Sequence, residues 1–205
     1  MANPNAPFGF RLVGRIGDGV PNLRKFHVPV GNGTALFCGD VVASVATSDT
    51  TTGDPEIGVA TAGSAIRGVL VSIDPPSTGQ NLPLGTLNVP ASTAQYVHVC
   101  EDPLAVYECM ALSTGTGSTH ILASTDVGKL ANFEAGAGGS TTTGCSSMSL
   151  DTSSVTTTAA SGNFRILAVV SDPLNQANFA AVADYTRVLV TPSHVLHELG
   201  GAAGV

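Results

Sequence analysis

The sequence predicts an all-β fold, a β-sandwich or β-barrel with an extended N-terminal arm and long Ser/Thr/Gly-rich loops. Three observations lead there. Helical periodicity is nearly absent from the chain. Short alternating or β-branched runs recur, each closed by Gly, Pro, Asn or Asp, the pattern of strands and turns. About eight to eleven such runs fit one closed or layered β-body. A chain of 205 residues with 43% apolar content is enough for a single core.

The arm comes first. Residues 1–10, MANPNAPFGF, hold two Pro that fix φ and remove backbone donors. The expectation is an extended segment reaching a neighbouring subunit or partner. Asn3 and Asn5 would supply hydrogen bonds, Pro4 and Pro7 would oppose helix, and Phe8 and Phe10 would anchor it by apolar burial.

Residues 11–205 read as one β-rich domain. In 25–30, KFHVPV, Phe26, Val28 and Val30 share a face. Residues 35–45 form two short runs around Gly39-Asp40. Residues 66–73, IRGVLVSI, read as a buried strand before Asp74-Pro75-Pro76. Strands follow at 84–90 and 95–101, where Tyr96, His98 and Cys100 face opposite to Val97 and Val99. In 104–111, Leu104, Val106 and Met110 align, with Glu108 interrupting. Residues 164–170 and 185–191 are the strongest late strands.

Two stretches break this rhythm and read as loop-rich insertions: residues 46–65, and residues 134–162, which are almost wholly small or hydroxylated. Met148, Leu150 and Val155 mark part of the second as an edge strand. Residues 172–184 suit a helical turn or an irregular loop. A short helix is expected at 193–199, SHVLHEL, with Ser193 as N-cap.

Composition narrows the function. Charged residues make up 11% of the chain, against roughly 25% in an ordinary domain. Thr, Ser, Gly and Asn carry the polar share, and such short side chains lose little entropy when another protein covers them. The formal net charge is −7, and Arg24-Lys25 is the only adjacent basic pair. Nucleic-acid binding needs a positive stripe, so neither nucleic acid nor anionic membrane is an expected partner. The opening residues have no signal-peptide pattern. No run reaches the roughly 18 apolar residues of a membrane helix. Synthesis in the cytosol is the expectation.

Catalytic, cofactor and metal motifs do not assemble. Cys38, Cys100, Cys109 and Cys145 match no zinc spacing and are expected reduced, with Cys38 and Cys100 as small core residues. A pair between Cys100 and Cys109 across the Asp102-Pro103 turn is the one exception considered. His194 and His197 would share a face on a helical turn. No third ligand joins them, although Glu198 is adjacent, and they read as exposed or packed histidines. His27, His98 and His120 are isolated. The glycines at 115–117 and 135–139 lack the Gly-Lys-Ser/Thr of a phosphate loop. No GxSxG elbow occurs, Glu101-Asp102 reads as a turn, and there is no Trp for sugar stacking.

The opening MANPNAPFGFRLVGRIGDG resembles the start of small head proteins of tailed bacteriophages. The resemblance continues through KFHVPV, through GNGTALFCGDVV with Gly39 and Asp40 in place, through Gly68–Ile73 and EDPLAVYECM, to RVLVTPSH. It is specific in the first ten residues and in residues 31–42. It implies a decoration, or cement, protein on the capsid exterior of a virion, made in the bacterial host cytoplasm. Its partners would be the major capsid protein and copies of itself, as a trimer first and a dimer next. It implies no catalytic residues. A tail- or fibre-associated β-protein and a carbohydrate-binding or hydrolytic β-domain are the alternatives.

Overall fold

The computed structural model describes residues 6–75, 87–112, 122–134, 138–158, 161–171 and 185–199. Thirteen strands lie among them. They are β1 (Arg11–Arg15), β2 (Leu23–Val28), β3 (Leu36–Phe37), β4 (Val41–Ser48) and β5 (Pro55–Val59). Then come β6 (Gly68–Ile73), β7 (Asn88–Val89), β8 (Gln95–Cys100) and β9 (Ala105–Leu112). Last are β10 (Leu130–Glu134), β11 (Ser149–Thr156), β12 (Phe164–Val169) and β13 (Thr186–Pro192). The one helical element among the described residues is a 3-10 turn, Ser124–Asp126. The all-β expectation holds.

Five strands close a barrel in the order β2-β5-β4-β6-β8. Its interior follows from period-2 alternation. β2 turns Phe26 and Val28 inward, and β8 answers with Val97 and Val99, set by the register Phe26↔Val97. Lys25, His27, Tyr96 and His98 take the other face. Val30 does not extend this face as expected. The strand ends at Val28, before Pro29, and Val30 is exposed.

The second sheet runs β1-β9-β11-β10-β12-β13, and β13 also pairs with β9, so its pairings return on themselves. β11 pairs with β9 in parallel, the other ladders being antiparallel. β3 and β7 form a small separate pair.

The larger hydrophobic cluster joins the two sheets. Val41, Val69 and Cys100 come from barrel strands, and Tyr107, Cys109, Leu150, Phe164, Ile166, Val188 and Val190 from the second sheet. Cys100 thus faces away from Val97 and Val99 as expected, yet it is enclosed, because the second sheet covers that face. In β9 the face turned into this cluster is Ala105, Tyr107, Cys109 and Ala111; of the face expected, Met110 is buried and Val106 half-buried. Leu104 is exposed, and Glu108 is buried through its ion pairs.

Both supposed insertions contain sheet. Within 46–65, β4 continues through Ser48 and β5 completes the barrel. The turn between them closes by Asp49 N–H to Asp54 O at 2.9 Å and Gly53 N–H to Asp49 O at 2.7 Å. Within 134–162, β11 lies between β9 and β10 and is no edge strand. The strand marked by Leu150 and Val155 is therefore present but internal, and Ser149 and Thr152 are buried in it.

The C-terminal helix does not form. Ile66 and His197 make an isolated bridge: Ile66 N–H donates to Leu196 O at 2.8 Å and Glu198 N–H to Ile66 O at 2.9 Å. Backbone groups needed for a helical turn are thereby spent on Ile66, just before β6, and Ser193 N–H donates to Asn163 O at 2.7 Å. The segment expected at 172–184, His120, and the glycines at 115–117 lie outside the described residues.

Candidate functional site

The N-terminal segment is seated on the chain's own body. The expectation that it leaves the body is corrected from Phe8 onward. Phe10 is enclosed and stacks on Phe164, with ring centroids 4.6 Å apart, while Tyr107 meets the other edge of Phe164 at 6.3 Å. Burying an aromatic ring in a core already lined by Phe164 and Tyr107 is more favourable than holding it in water for a partner. Asn3, Pro4 and Asn5 lie outside the described residues. Pro7 and Phe8 are half-buried, and the Arg11 guanidinium sits 5.6 Å from the Phe8 ring centre.

The seat is built from two glycine turns. Phe10 N–H donates to Gly39 O at 3.0 Å. Gly9 has φ +76°, and a Cβ there would lie 2.7 Å from Ser146 Cβ and 2.9 Å from Gly39 O. Gly39 has φ +95°, and its Cβ would lie 3.1 Å from both Gly9 Cα and Phe10 N. Only residues without side chains allow this approach. Asp40 holds the turn beneath, its carboxylate accepting Phe37 N–H at 2.7 Å. Burial pushes its pKa up to about 6, against the opposing hydrogen bonds from Ser146 and Phe37. A cleft of about 310 Å³ opens beside the seat, between Phe8, Leu12, Val71 and Cys145.

Most of the scarce basic residues pair with carboxylates of the same chain. Arg11 and Arg187 both pair with Glu108. Arg15 pairs with Asp102 at 2.7 Å, and Lys129 with Asp126 at 2.9 Å. Arg67 bonds Glu101 at 2.5 Å and lies 3.6 Å from Glu198, while Arg24 approaches Glu101 at 4.0 Å. Glu198 also accepts Ser44 N–H at 2.9 Å, fastening the C-terminal segment to β4. Lys25 lies 3.8 Å over the Tyr96 ring. Glu101 and Asp102, adjacent in sequence, thus serve different arginines, and Asp102 also accepts Leu104 N–H at 2.9 Å in the expected turn.

The backbone segments joined at the 101–104 turn carry exposed apolar side chains. The connector from β1 to β2 lies along the 101–104 turn: Ile16 N–H donates to Leu104 O at 2.8 Å, and Glu101 N–H to Asn22 O at 3.1 Å. Ile16, Leu104 and Leu23 are exposed along this line, and Val20 is 88% exposed. β1, which leads into it, carries exposed Val13 and pairs only with β9 among the described residues. Sequence reading missed this strip because its members are separated by Gly17, Gly19 and Pro21, and Leu104 arrives from a distant turn.

The histidines are dispersed. His194 is exposed and His197 is fully buried, so the HxxH pair does not converge. His197 Nδ1 accepts Leu199 N–H at 3.2 Å. Burial, then the nearby Arg67 charge, push its pKa down to about 4. His27 stands 3.1 Å from Glu56 and His98 3.1 Å from Asp74.

Cys100 and Cys109 are both enclosed, on β8 and β9. They share the core between the sheets, and both are free thiols in the structure. Comparison with protein-family models, curated proteins and solved structures finds no match to the chain.

Proposed function

We propose that this chain is a structural protein of a tailed-bacteriophage head, decorating the capsid exterior and bridging major capsid protein subunits. The observation that carries the reading is the apolar strip of Ile16, Val20, Leu23 and Leu104 on a body whose basic groups are mostly paired internally. Exposed apolar side chains on adjoining backbone segments suit a contact with another protein. The paired arginines leave no stripe for DNA phosphates, and the net charge of −7 favours the outside of a DNA-filled shell.

The two stretches that carry the family resemblance also meet in space. Residues 8–10, from the first, lie on Gly39, from the second. This contact supports reading them together.

A decoration protein works by repetition. Each copy makes modest contacts, and a homo-oligomer, with a trimer at local three-folds as first choice, multiplies them. Its role is mechanical, with no reaction catalysed. The test is to separate heads from tails of the phage that carries this chain and to assay each fraction for the protein by mass spectrometry. Recovery with heads, in many copies, is the expected result. Recovery with tails alone, or with neither, overturns the proposal.

A further inference from the structure

Cys38 and Cys145 stand on the two surfaces that hold the N-terminal segment. They are directly opposite each other in a one-residue parallel bridge. Two backbone bonds fix that register: Cys38 N–H donates to Gly144 O at 3.0 Å, and Cys38 O accepts Ser146 N–H at 2.9 Å. Neighbouring strands lie about 4.8 Å apart, within the Cα separation of roughly 4.4–6.8 Å that a disulfide spans. Cys145 is exposed and Cys38 is half-buried, both on the wall of the cleft beside Phe8. Cys100 and Cys109, by contrast, are wholly enclosed.

We propose that Cys38 and Cys145 form a disulfide site that locks the seat of the N-terminal segment when the folded protein meets a small-molecule disulfide. The Cys145 thiolate attacks one sulfur of the oxidant, forming a mixed disulfide and expelling one small thiolate. The Cys38 sulfur, losing its proton, attacks the Cys145 sulfur and expels the second. Two protein thiols are oxidised to one disulfide. One small disulfide is reduced to two thiols, which take up the two protons released. The order follows from access: Cys145 is open to solvent, whereas burial, then the neighbouring Cys145, raise the Cys38 pKa.

The bond would join the turn after β3 to the loop before β11. Gly9 packs against both, at Gly39 and at Ser146. The cross-link therefore restrains the two walls of the seat together. It acts after the protein leaves a reducing cytosol, and it does not depend on which surface the protein decorates.

The test treats the folded full chain with oxidised glutathione, unfolds it under acid quench and titrates free thiols. Two of the four thiols should be lost, peptide mapping should link Cys38 to Cys145, and the unfolding midpoint should rise and fall back with dithiothreitol. Cys38→Ser should instead trap glutathione on Cys145, with no rise in midpoint. Four free thiols after treatment, a lasting glutathione adduct on Cys145 in the unmutated chain, or a link through Cys100 or Cys109 would each overturn the proposal.

Discussion

Phe10 stacks on Phe164 with the two ring planes 17° from parallel, so a residue at the start of the chain is part of the core between the sheets. This contact decides what the first ten residues do. They are fastened at Phe10, and whatever they reach for starts from Phe8.

Truncating Phe10 should therefore unfold the body, not free an arm. Phe10→Ala is expected to cost about 3–5 kcal/mol, as for other buried Phe. Phe8→Ala, at a half-buried ring, should cost under about 1.5 kcal/mol. Urea denaturation of both variants checks this, and equal losses would contradict it.

The glycine turns should be intolerant of any side chain. Gly39→Ala places a Cβ 3.1 Å from Gly9 Cα and Phe10 N at φ +95°. The neighbouring atoms are backbone and cannot rotate away. A loss of at least about 2 kcal/mol is expected. A midpoint within error of the parent would show that the seat relaxes freely.

The buried ion pairs should matter more than exposed ones. Glu101→Gln leaves Arg67, itself mostly buried, without its closest charged partner. The expected loss is about 3 kcal/mol. The exposed side of the same cluster, Arg24→Gln, should change stability by less than about 1 kcal/mol.

Acid should act through His197 and Asp40 in opposite directions. His197 has its pKa pushed down to about 4 by burial and then Arg67, whereas an unfolded His titrates near ~6.5. Between those values the unfolded chain binds the extra proton, so stability falls as pH drops through that window. At about 1.4 kcal/mol per unit the loss reaches at most about 3 kcal/mol. Asp40 has its pKa raised by burial to about 6, so the folded chain takes up its proton first and gains stability as pH falls toward about 4. The two partly cancel in the parent. His197→Gln removes one arm of the balance, so its stability relative to the parent should improve steadily from pH 7 to pH 4.5. A constant difference across that range, by chemical denaturation, would refute the assignment.

Much of the barrel was readable because its strands alternate. KFHV and QYVHVC place Phe26, Val28, Val97 and Val99 on one side by period alone. β5 was not readable, and β11 only in part, through Leu150 and Val155. PEIGV sets Gly58 between Ile57 and Val59, and SLDTSSVT buries Ser149 and Thr152 among hydroxylated neighbours, so neither shows a regular apolar stripe. The short C-terminal helix failed for a different reason: SHVLHEL has a plausible cap, but Ile66 captures its backbone bonds. The aromatic residues of the N-terminal segment signalled apolar burial, expected against a neighbour, and Phe10 finds it inside the chain. What they could not say is that the anchor point is the chain's own Phe164. The one cue was Gly9 matched by Gly39 in FCGD, and it becomes meaningful only once both φ angles are known to be positive.

The proposed position on the outside of a phage head depends on contacts through Ile16 and Leu104. The most direct measurement is electron cryomicroscopy of heads bearing the parent chain or the Ile16→Asp, Leu104→Asp double variant. Each of the two residues is 42% exposed, so urea denaturation first establishes that the variant is folded, and Val20→Asp, at the most exposed position, serves as a second variant. The account predicts parent density outside the shell at junctions between capsid subunits, with the apolar strip facing the shell. It predicts strongly reduced occupancy for the variant. Absence of external density with the parent, or full occupancy with the variant, would contradict it.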